Sequence, residues 1–453
     1  MRDLSSVVKS YDLRGLVPGE LDADVARAVG AAFPRVVDAG AVVVGHDMRP
    51  SSPGLVDAFA EGARDQGCDV VVIGLASTDQ LYYASGALGL PGAMFTASHN
   101  PAQYNGIKLC RAGASPVGRG TGLEEVQRLA EQGPPAPAAR RGSLEHRDLL
   151  PAYAEHLRSL VDLSRARPLR VVVDAGNGMA GHTVPAVLGP LPVEVLPLYF
   201  ELDGSFPHHE ANPIDPATLV DLQAEVRAQG ADAGLAFDGD ADRCFLVDER
   251  GEVVDPSALT ALIAVRELAK EAAEGRAGVV VHNVITSKSV PEIVREHGGT
   301  PVRERVGHSY IKARMAGTGA VFGGEHSGHF YFRDFWRADS GMLAALHALA
   351  ALAEQDGTLS ELLVPYARYV ASGEVNSTVT DQAAATARVR ERFAREGASV
   401  DELDGLTLDA GAWWLNVRPS GTEPLLRLNV EARDRDTMEA VRDEALALIR
   451  GAA

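Results

Sequence analysis

Three carboxylates at alternating positions, Asp238, Asp240 and Asp242, are the strongest chemical signal in the chain. The small residues between them, Gly239 and Ala241, allow all three to turn toward one point. Three hard oxygen ligands suit Mg²⁺, which keeps open positions for phosphate oxygens. With no compensating charge, the three would repel one another. A calcium-binding EF-hand loop is one rival, because Glu249 falls at its twelfth position. That loop needs glycine at its sixth position, where this chain has Arg243, and a helix before it, where Ala233–Phe237 reads as a strand. A solvated acidic turn is the other rival.

Three further clusters could do chemistry. The stretch Thr96-Ala97-Ser98-His99-Asn100-Pro101 offers a serine hydroxyl, a weak nucleophile until something activates it or delivers its electrophile. His99 stands beside it; the alternative is a turn residue with a surface imidazole. Lys108 lies ten positions after Ser98, and Asn105-Gly106 is a hairpin signal that would fold it back beside the serine. Lysine occurs only at Lys9, Lys108, Lys270, Lys288 and Lys312 in an arginine-rich chain. A lysine kept there suits a role in which a proton is lost, which guanidinium cannot fill. In Gly324-Glu325-His326-Ser327-Gly328-His329, Glu325 and Ser327 alternate and supply the carboxylate and hydroxyl that sugar hydroxyls need as partners. His329 there could exchange a proton, or be a partly buried structural histidine. In Arg418-Pro419-Ser420-Gly421-Thr422-Glu423-Pro424, one arginine, two hydroxyls and backbone N–H groups around a glycine make a phosphate cradle. Near the start, Arg14 in Lys9–Gly15 could clamp a phosphate or form a surface salt bridge.

The elements that must hold these residues repeat one plan. Gly92–Phe95, Ala233–Phe237 and Ala320–Phe322 read as buried strands, and each runs straight into one of the polar loops. Loops at strand C-termini are where open α/β sheets bind ligands. Ala41–Gly45, Asp69–Ile73 and Leu169–Val173 read as further strands. Asp22–Val37, Asp215–Gln229 and Ser257–Ala273 read as helices, and Ser52-Pro53 as a helix start with serine as cap. The exposed run Pro134–Ala139 marks a boundary. From about Val370 the pattern changes to strands at Val375–Val379, Trp413–Val417 and Leu425–Glu431, with helices at Ala383–Phe393 and Asp436–Ile449. The reading is therefore α/β: three similar α/β mixed-sheet domains, 1–150, 151–252 and 253–368, plus a C-terminal α+β domain, 369–453.

The chain has 453 residues, 46% hydrophobic and 23% charged, enough for several cores. A formal net charge of −19 argues against a general nucleic-acid or membrane-surface binder. An anionic substrate would need a local basic pocket. The sparse set Cys68, Cys110 and Cys244 points to reduced thiols in a cytoplasmic protein. The first residues lack an apolar signal core.

Thr96–Pro101, Asp238–Arg243, Gly324–His329 and Arg418–Pro424, in this order across nearly the whole chain, resemble the motifs of the α-D-phosphohexomutase family. Tyr11-Asp12-Leu13-Arg14-Gly15 and Gly307-His308-Ser309-Tyr310-Ile311-Lys312 are most similar to its phosphomannomutase/phosphoglucomutase branch. The resemblance implies four domains around a central active-site cleft. It implies a phosphoryl carrier at Ser98, with His99 beside it, and Mg²⁺ held by Asp238, Asp240, Asp242 and a Ser98 phosphate oxygen. Lys108 and His329 become acid/base candidates. Arg14, Arg243 and His308 would line the cleft, with Tyr11 and Lys288 also on the substrate side. Glu325 and Ser327 would hold sugar hydroxyls; Arg418, Ser420, Gly421 and Thr422 would hold the non-reacting phosphate.

The implied activity is interconversion of hexose 1-phosphate and hexose 6-phosphate, of mannose or glucose, through a bisphosphorylated sugar that doubles as activator. The partner is a small phosphosugar, not nucleic acid or membrane, and the protein a monomer or homodimer. Two departures stand out. Ile285 occupies a position where some dual-specificity members carry a phosphate-contacting lysine, with Lys288 slightly later. His326 replaces the methionine common in those members, and the glutamine usual in mutases specialised for glucosamine phosphate. The missing glutamine argues against phosphoglucosamine mutase, which stays the alternative branch; a metal-dependent sugar phosphatase and a non-catalytic sugar-phosphate-binding protein are the rival classes.

Overall fold

The computed structural model describes residues 3–164, 166–395, 397–420 and 425–451. Its chain divides into two compact units, Met1–Val254 with Ser327–Leu362, and Asp255–His326 with Leu363–Ala453. Gly421 and Thr422 lie outside the described residues.

The first unit holds two mixed sheets. One runs in the order Leu13–Leu16, Tyr104–Arg111, Gly92–Phe95, Ala41–His46, Asp69–Leu75, Leu144–His146. Ala41–His46 is parallel to both Asp69–Leu75 and Gly92–Phe95, while Tyr104–Arg111 returns antiparallel to Gly92–Phe95. Ala41–His46, Asp69–Leu75 and Gly92–Phe95 are largely apolar and buried because both faces of the central strands are covered. Helices Ala23–Val36 and Ser52–Asp65 pack on one face, where the Phe59 ring meets Phe95 edge-on with centroids 5.5 Å apart. The second sheet runs Cys244–Asp248, Ala233–Phe237, Leu169–Asp174, Val193–Leu198, parallel except for the antiparallel edge pair Ala233–Phe237 and Cys244–Asp248. That antiparallel return makes Asp238–Arg243 a tight loop between two buried strands.

The second unit has parallel strands Thr300–Glu304, Val279–Asn283 and Phe322–Gly324, in that spatial order, with helices Pro256–Ala273, Ser289–Glu296 and His308–Thr318. Its remainder is an antiparallel sheet built around Trp413–Pro419 and Leu425–Ala432, with helices Gln382–Ala394 and Arg435–Arg450. Among the described residues no helix is long and apolar enough to cross a membrane.

Two local readings are corrected. Asn105-Gly106 is not a turn: both lie inside strand Tyr104–Arg111. Gly106 is needed because its neighbours on both sides are backbone; a Cβ there would sit 2.5 Å from Leu13 O and 2.7 Å from Thr96 O. The connection that reverses the chain is the serine loop itself. Ser52 is the first helical residue rather than the cap, and its hydroxyl donates to Asp47 Oδ1 at 2.7 Å.

The first unit is tied to its distant segment by a buried carboxylate. Asp79, fully buried at the start of helix Thr78–Leu88, accepts from the Ser77 hydroxyl, from Tyr153 OH at 2.7 Å and from Ser340 Oγ at 2.6 Å. Burial pushes its carboxyl up to about 6 from 3.8, against the pull of those hydroxyls. A folded-state value above the unfolded one favours the protonated form. The stabilisation from that proton is complete below about pH 4 and is lost as pH rises through about 6. At about 1.4 kcal/mol per tenfold change in proton affinity, the loss is roughly 3 kcal/mol. Asp79→Asn keeps the shape without the charge. It should raise Tm by about 3 °C at pH 7.5 and leave it nearly unchanged at about pH 3.5, as read by thermal unfolding at both values.

Candidate active site

Strand Gly92–Phe95 delivers Ser98 into the first unit with a left-handed backbone, φ 50°. Ser98 N donates to Thr96 Oγ1 at 2.9 Å, which closes the loop on itself. The hydroxyl so aimed donates to Asp238 Oδ2 at 2.8 Å, and His99 Nδ1 stands 3.1 Å from Ser98 Oγ. Burial, then the cations Arg243 and Arg14, hold the His99 pKa well below its ordinary value, so the ring is neutral.

The acidic loop reaches the same point from the second sheet. Asp238, Asp240 and Asp242 are 0%, 0% and 1% exposed, and one oxygen of each lies within 4.8 Å of the others. Two cations sit among them. Lys108 Nζ donates to Asp240 Oδ2 at 2.7 Å and to Asp242 Oδ2 at 2.6 Å. Arg243 Nε donates to Asp238 Oδ2 at 2.8 Å and its backbone N–H to Asp238 Oδ1 at 3.1 Å. Burial pushes the Asp238 carboxyl up to about 7; Arg243 opposes this, while Asp242 and Asp240 add to it. Burial would also raise Asp240, but the Lys108 ion pair overcomes it and holds Asp240 below the usual carboxylate range. Lys108, against its own burial, is pushed up by the same two carboxylates. The ammonium is therefore held charged by the pairing that places it.

These carboxylates fit a divalent cation. Asp240 Oδ1 and Asp242 Oδ1 are buried and accept no hydrogen bond, an arrangement costly for anionic oxygens unless a cation takes them up. The donors are all hard oxygens, with the Ser98 hydroxyl at their edge. Thr78, which the sequence reading passed over, holds this site from behind: its Oγ1 donates to Asp240 Oδ2 at 2.6 Å and its N–H to Asp240 O at 3.0 Å.

The loop ending in His329 lies against the acidic loop. Cys244 N–H donates to Gly328 O at 3.3 Å, and Arg243 and His329 form a short antiparallel bridge. His329 Nε2 stands 3.6 Å from Asp242 Oδ1, and its Nδ1 is 3.0 Å from Ser327 Oγ. Arg14 reaches the serine loop from the neighbouring strand; it donates to Asn100 Oδ1 and to Asp12 Oδ2. Tyr11 lies just before that strand, half-buried. The structure thus brings Ser98, His99, Lys108, Arg14, Arg243, Ser327, His329 and the three aspartates together in one unit.

The second unit carries the other expected residues in separate groups. Glu325, 2% exposed, accepts at Oε1 from Asn283 Nδ2 at 3.1 Å and Gly307 N at 3.0 Å, next to His308 at the start of its helix. Lys288 Nζ is engaged by Asp409 Oδ1 at 2.8 Å and Gly411 O at 3.3 Å, and Ile285 is buried. Arg418 ends strand Trp413–Pro419 directly opposite Arg427. Its guanidinium lies 3.6 Å from Glu374 and 3.7 Å from Asp404. Ser420 N donates to Leu425 O at 2.8 Å.

Comparison with known proteins matches all four parts of the chain. Family models describe residues 5–133, 151–251 and 255–369 as phosphoglucomutase/phosphomannomutase α/β/α domains I, II and III, and residues 374–448 as the C-terminal domain. A phosphomannomutase of Salmonella montevideo is 41% identical over 451 residues, covering 97% of this chain and 98% of that one. A Xanthomonas campestris protein named for phosphohexose mutases is 41% identical over 447 residues, 98% of this chain and 99% of that one. The crystal structure of a phosphoglucomutase/phosphomannomutase family protein from Burkholderia thailandensis superposes with a TM-score of 0.88 at 33% identity, covering 98% and 97% of the two chains. With a serine, a metal-competent carboxylate cluster and paired cations joined in one unit, the chain belongs to the phosphoglucomutase/phosphomannomutase family and is a phosphohexose mutase.

Proposed function

We propose that this enzyme interconverts the 1- and 6-phosphates of mannose and of glucose by way of a phosphoryl group carried on Ser98. The observation that carries this reading is the Ser98 hydroxyl 2.8 Å from Asp238, beside two buried carboxylate oxygens that accept no hydrogen bond. Asp238, Asp240 and Asp242, with a Ser98 phosphate oxygen, would hold Mg²⁺. Bound there, the ion would neutralise charge on the transferring phosphoryl group.

The chain's own groups do the rest. A hydroxyl of the bound sugar monophosphate attacks the phosphorus of phosphoserine 98. Its new O–P bond forms as the Oγ–P bond breaks. The hydroxyl proton goes to a nearby base, and Ser98 Oγ regains a proton. His329 suits the base, since its ring stands at the acidic loop with Ser327 on its other nitrogen. Lys108, held charged, suits the donor to the leaving oxygen. Arg243 and Arg14 supply positive charge beside the serine. The sugar bisphosphate then turns over, and its other phosphate returns to Ser98.

The remaining roles follow the same reading. Glu325 and Ser327 hold sugar hydroxyls, with His308 beside Glu325. Arg418, Ser420, Gly421 and Thr422 grip the phosphate that is not reacting. Tyr11 belongs to the substrate side. Lys288, tied to Asp409, would have to leave that partner to reach a phosphate. The four-part division at 1–150, 151–252, 253–368 and 369–453 gives each polar loop its own domain. Buried thiols at Cys68, Cys110 and Cys244, none in a disulfide, suit a reducing cytoplasm.

Three outcomes test this. Incubation with glucose 1,6-bisphosphate should add one phosphate, mapped to Ser98 by peptide mass spectrometry, and Ser98→Ala should abolish turnover without releasing inorganic phosphate. A phosphatase would release it steadily. A chelator should stop turnover, and Thr78→Val should raise the Mg²⁺ needed for half-maximal rate about 10–100-fold, because removing the partner of a metal ligand costs that much. Finally, kcat/KM for glucose 1-phosphate and mannose 1-phosphate should agree within about 10³-fold, because no residue assigned here reads carbon 2. A preference for glucosamine 1-phosphate would move the chain to another branch.

A further inference from the structure

Arg49 is among the largest fully buried side chains of the protein, and the assigned chemistry leaves it unused. It follows strand Ala41–His46, the neighbour of the strand that carries Ser98. A guanidinium has five N–H donors in a fixed plane, and each one here has an oxygen. Nε donates to Asp47 Oδ2 at 3.1 Å. Nη1 donates to Pro101 O and Tyr104 O, both at 2.9 Å. Nη2 donates to Ser98 O at 2.9 Å and Asn100 O at 2.7 Å. Four backbone carbonyls of a single loop, from Ser98 to Tyr104, thus converge on one side chain.

That saturation decides what Arg49 can do. No donor is left for a phosphate oxygen, so it is not a phosphate ligand. Asp47 balances its charge, and Asp47 is fixed in turn by the Ser52 hydroxyl and Arg49 N–H. The Phe206 ring lies under the guanidinium, 5.1 Å from centroid to Cζ, and closes its remaining face. The Ser98 carbonyl is held from two sides: Arg49 Nη2 on one, and on the other the backbone of Gly239, where a Cβ would come within 2.5 Å of Ser98 O. The left-handed φ of Ser98 is unfavourable for a non-glycine residue and persists only where its surroundings enforce it.

We infer that Arg49 is the positioning residue of the transfer step: its four-way hold on the loop, itself anchored by Asp47, fixes the Ser98 oxygen against the acidic loop. This rests on the reading of Ser98 as phosphoryl carrier. Lysine cannot substitute, because three donors on one nitrogen cannot span four diverging carbonyls.

The test uses the full-length Arg49→Lys and Asp47→Asn variants, charged with glucose 1,6-bisphosphate and mixed with glucose 1-phosphate in single-turnover and steady-state assays. Rates are divided by the phosphoserine content found by intact mass. Misplacing a reacting group by about 1 Å costs about 10²-fold, so Arg49→Lys should lose about that factor in transfer rate and kcat. KM should stay within about 3-fold, a split that general loosening of the fold would not give. Asp47→Asn, which frees one of the five donors, should lose about 10-fold. If folded Arg49→Lys transfers within about 3-fold of the parent, or only KM changes, the inference is overturned. If Arg49→Lys does not fold, Asp47→Asn decides, and a parent-like rate overturns the inference. A parent enzyme that forms no phosphoserine overturns the Ser98 reading itself, whereas normal parental transfer with unimpaired variants removes only the role of Arg49.

Discussion

The structure depends on keeping three carboxylates out of water within a few ångströms of one another. Asp238, Asp240 and Asp242 are essentially inaccessible, and buried charge is tolerated only when paired and hydrogen-bonded. Lys108 and Arg243 supply the pairing, one from each sheet of the first unit. Balance is incomplete: three carboxylates face two cations, and two of their oxygens accept no hydrogen bond. That residual negative charge suits a divalent cation.

Because the charges come from different strands, the sheets have to be fixed relative to one another at the loops. Backbone contact does this where side chains would not fit. Gly239 lets the acidic loop meet the Ser98 carbonyl, and Gly106 lets a strand run between two others at van der Waals distance. Thr78 and Arg49 then add directional hydrogen bonds from the loops that follow two parallel strands. The buried Asp79 does the same for the helices behind the site, drawing Tyr153 and Ser340 into one hydrogen-bonded knot. Its elevated pKa is the cost of that arrangement.

The polar loops were legible in sequence because each has a local signature. A run of small apolar residues stops abruptly in Ser-His, in alternating Asp, or in Glu-x-Ser, and the strand that precedes each is too apolar to be anything but buried. The strands, most helix positions and the change of architecture after Val370 were legible on the same grounds. The errors were local as well. Asn105-Gly106 carries the composition of a tight turn, yet lies within a strand because its neighbours demand a residue with no side chain. Ser52 has the chemistry of a helix cap, yet a buried Asp47 competes for its hydroxyl. Tertiary partners outbid local propensity in both cases.

The sequence by itself determined which groups are present and which strand ends carry them, since composition and periodicity are properties of neighbours along the chain. Only the tertiary structure decided which groups act on one another. Thr78 meets Asp240 across 162 residues, Lys108 meets Asp242 across 134, and Ser340 meets Asp79 across 261. It also placed Ser327 and His329 in the same unit as the acidic loop, and Glu325 in the other. Arg49 shows the difference most sharply. In sequence it is one arginine among many beside a proline; in the fold it is buried, and four of its five side-chain donors are spent on a loop about fifty residues away. Burial and hydrogen-bond saturation are set by what surrounds a residue in space, and no pattern of adjacent residues encodes them.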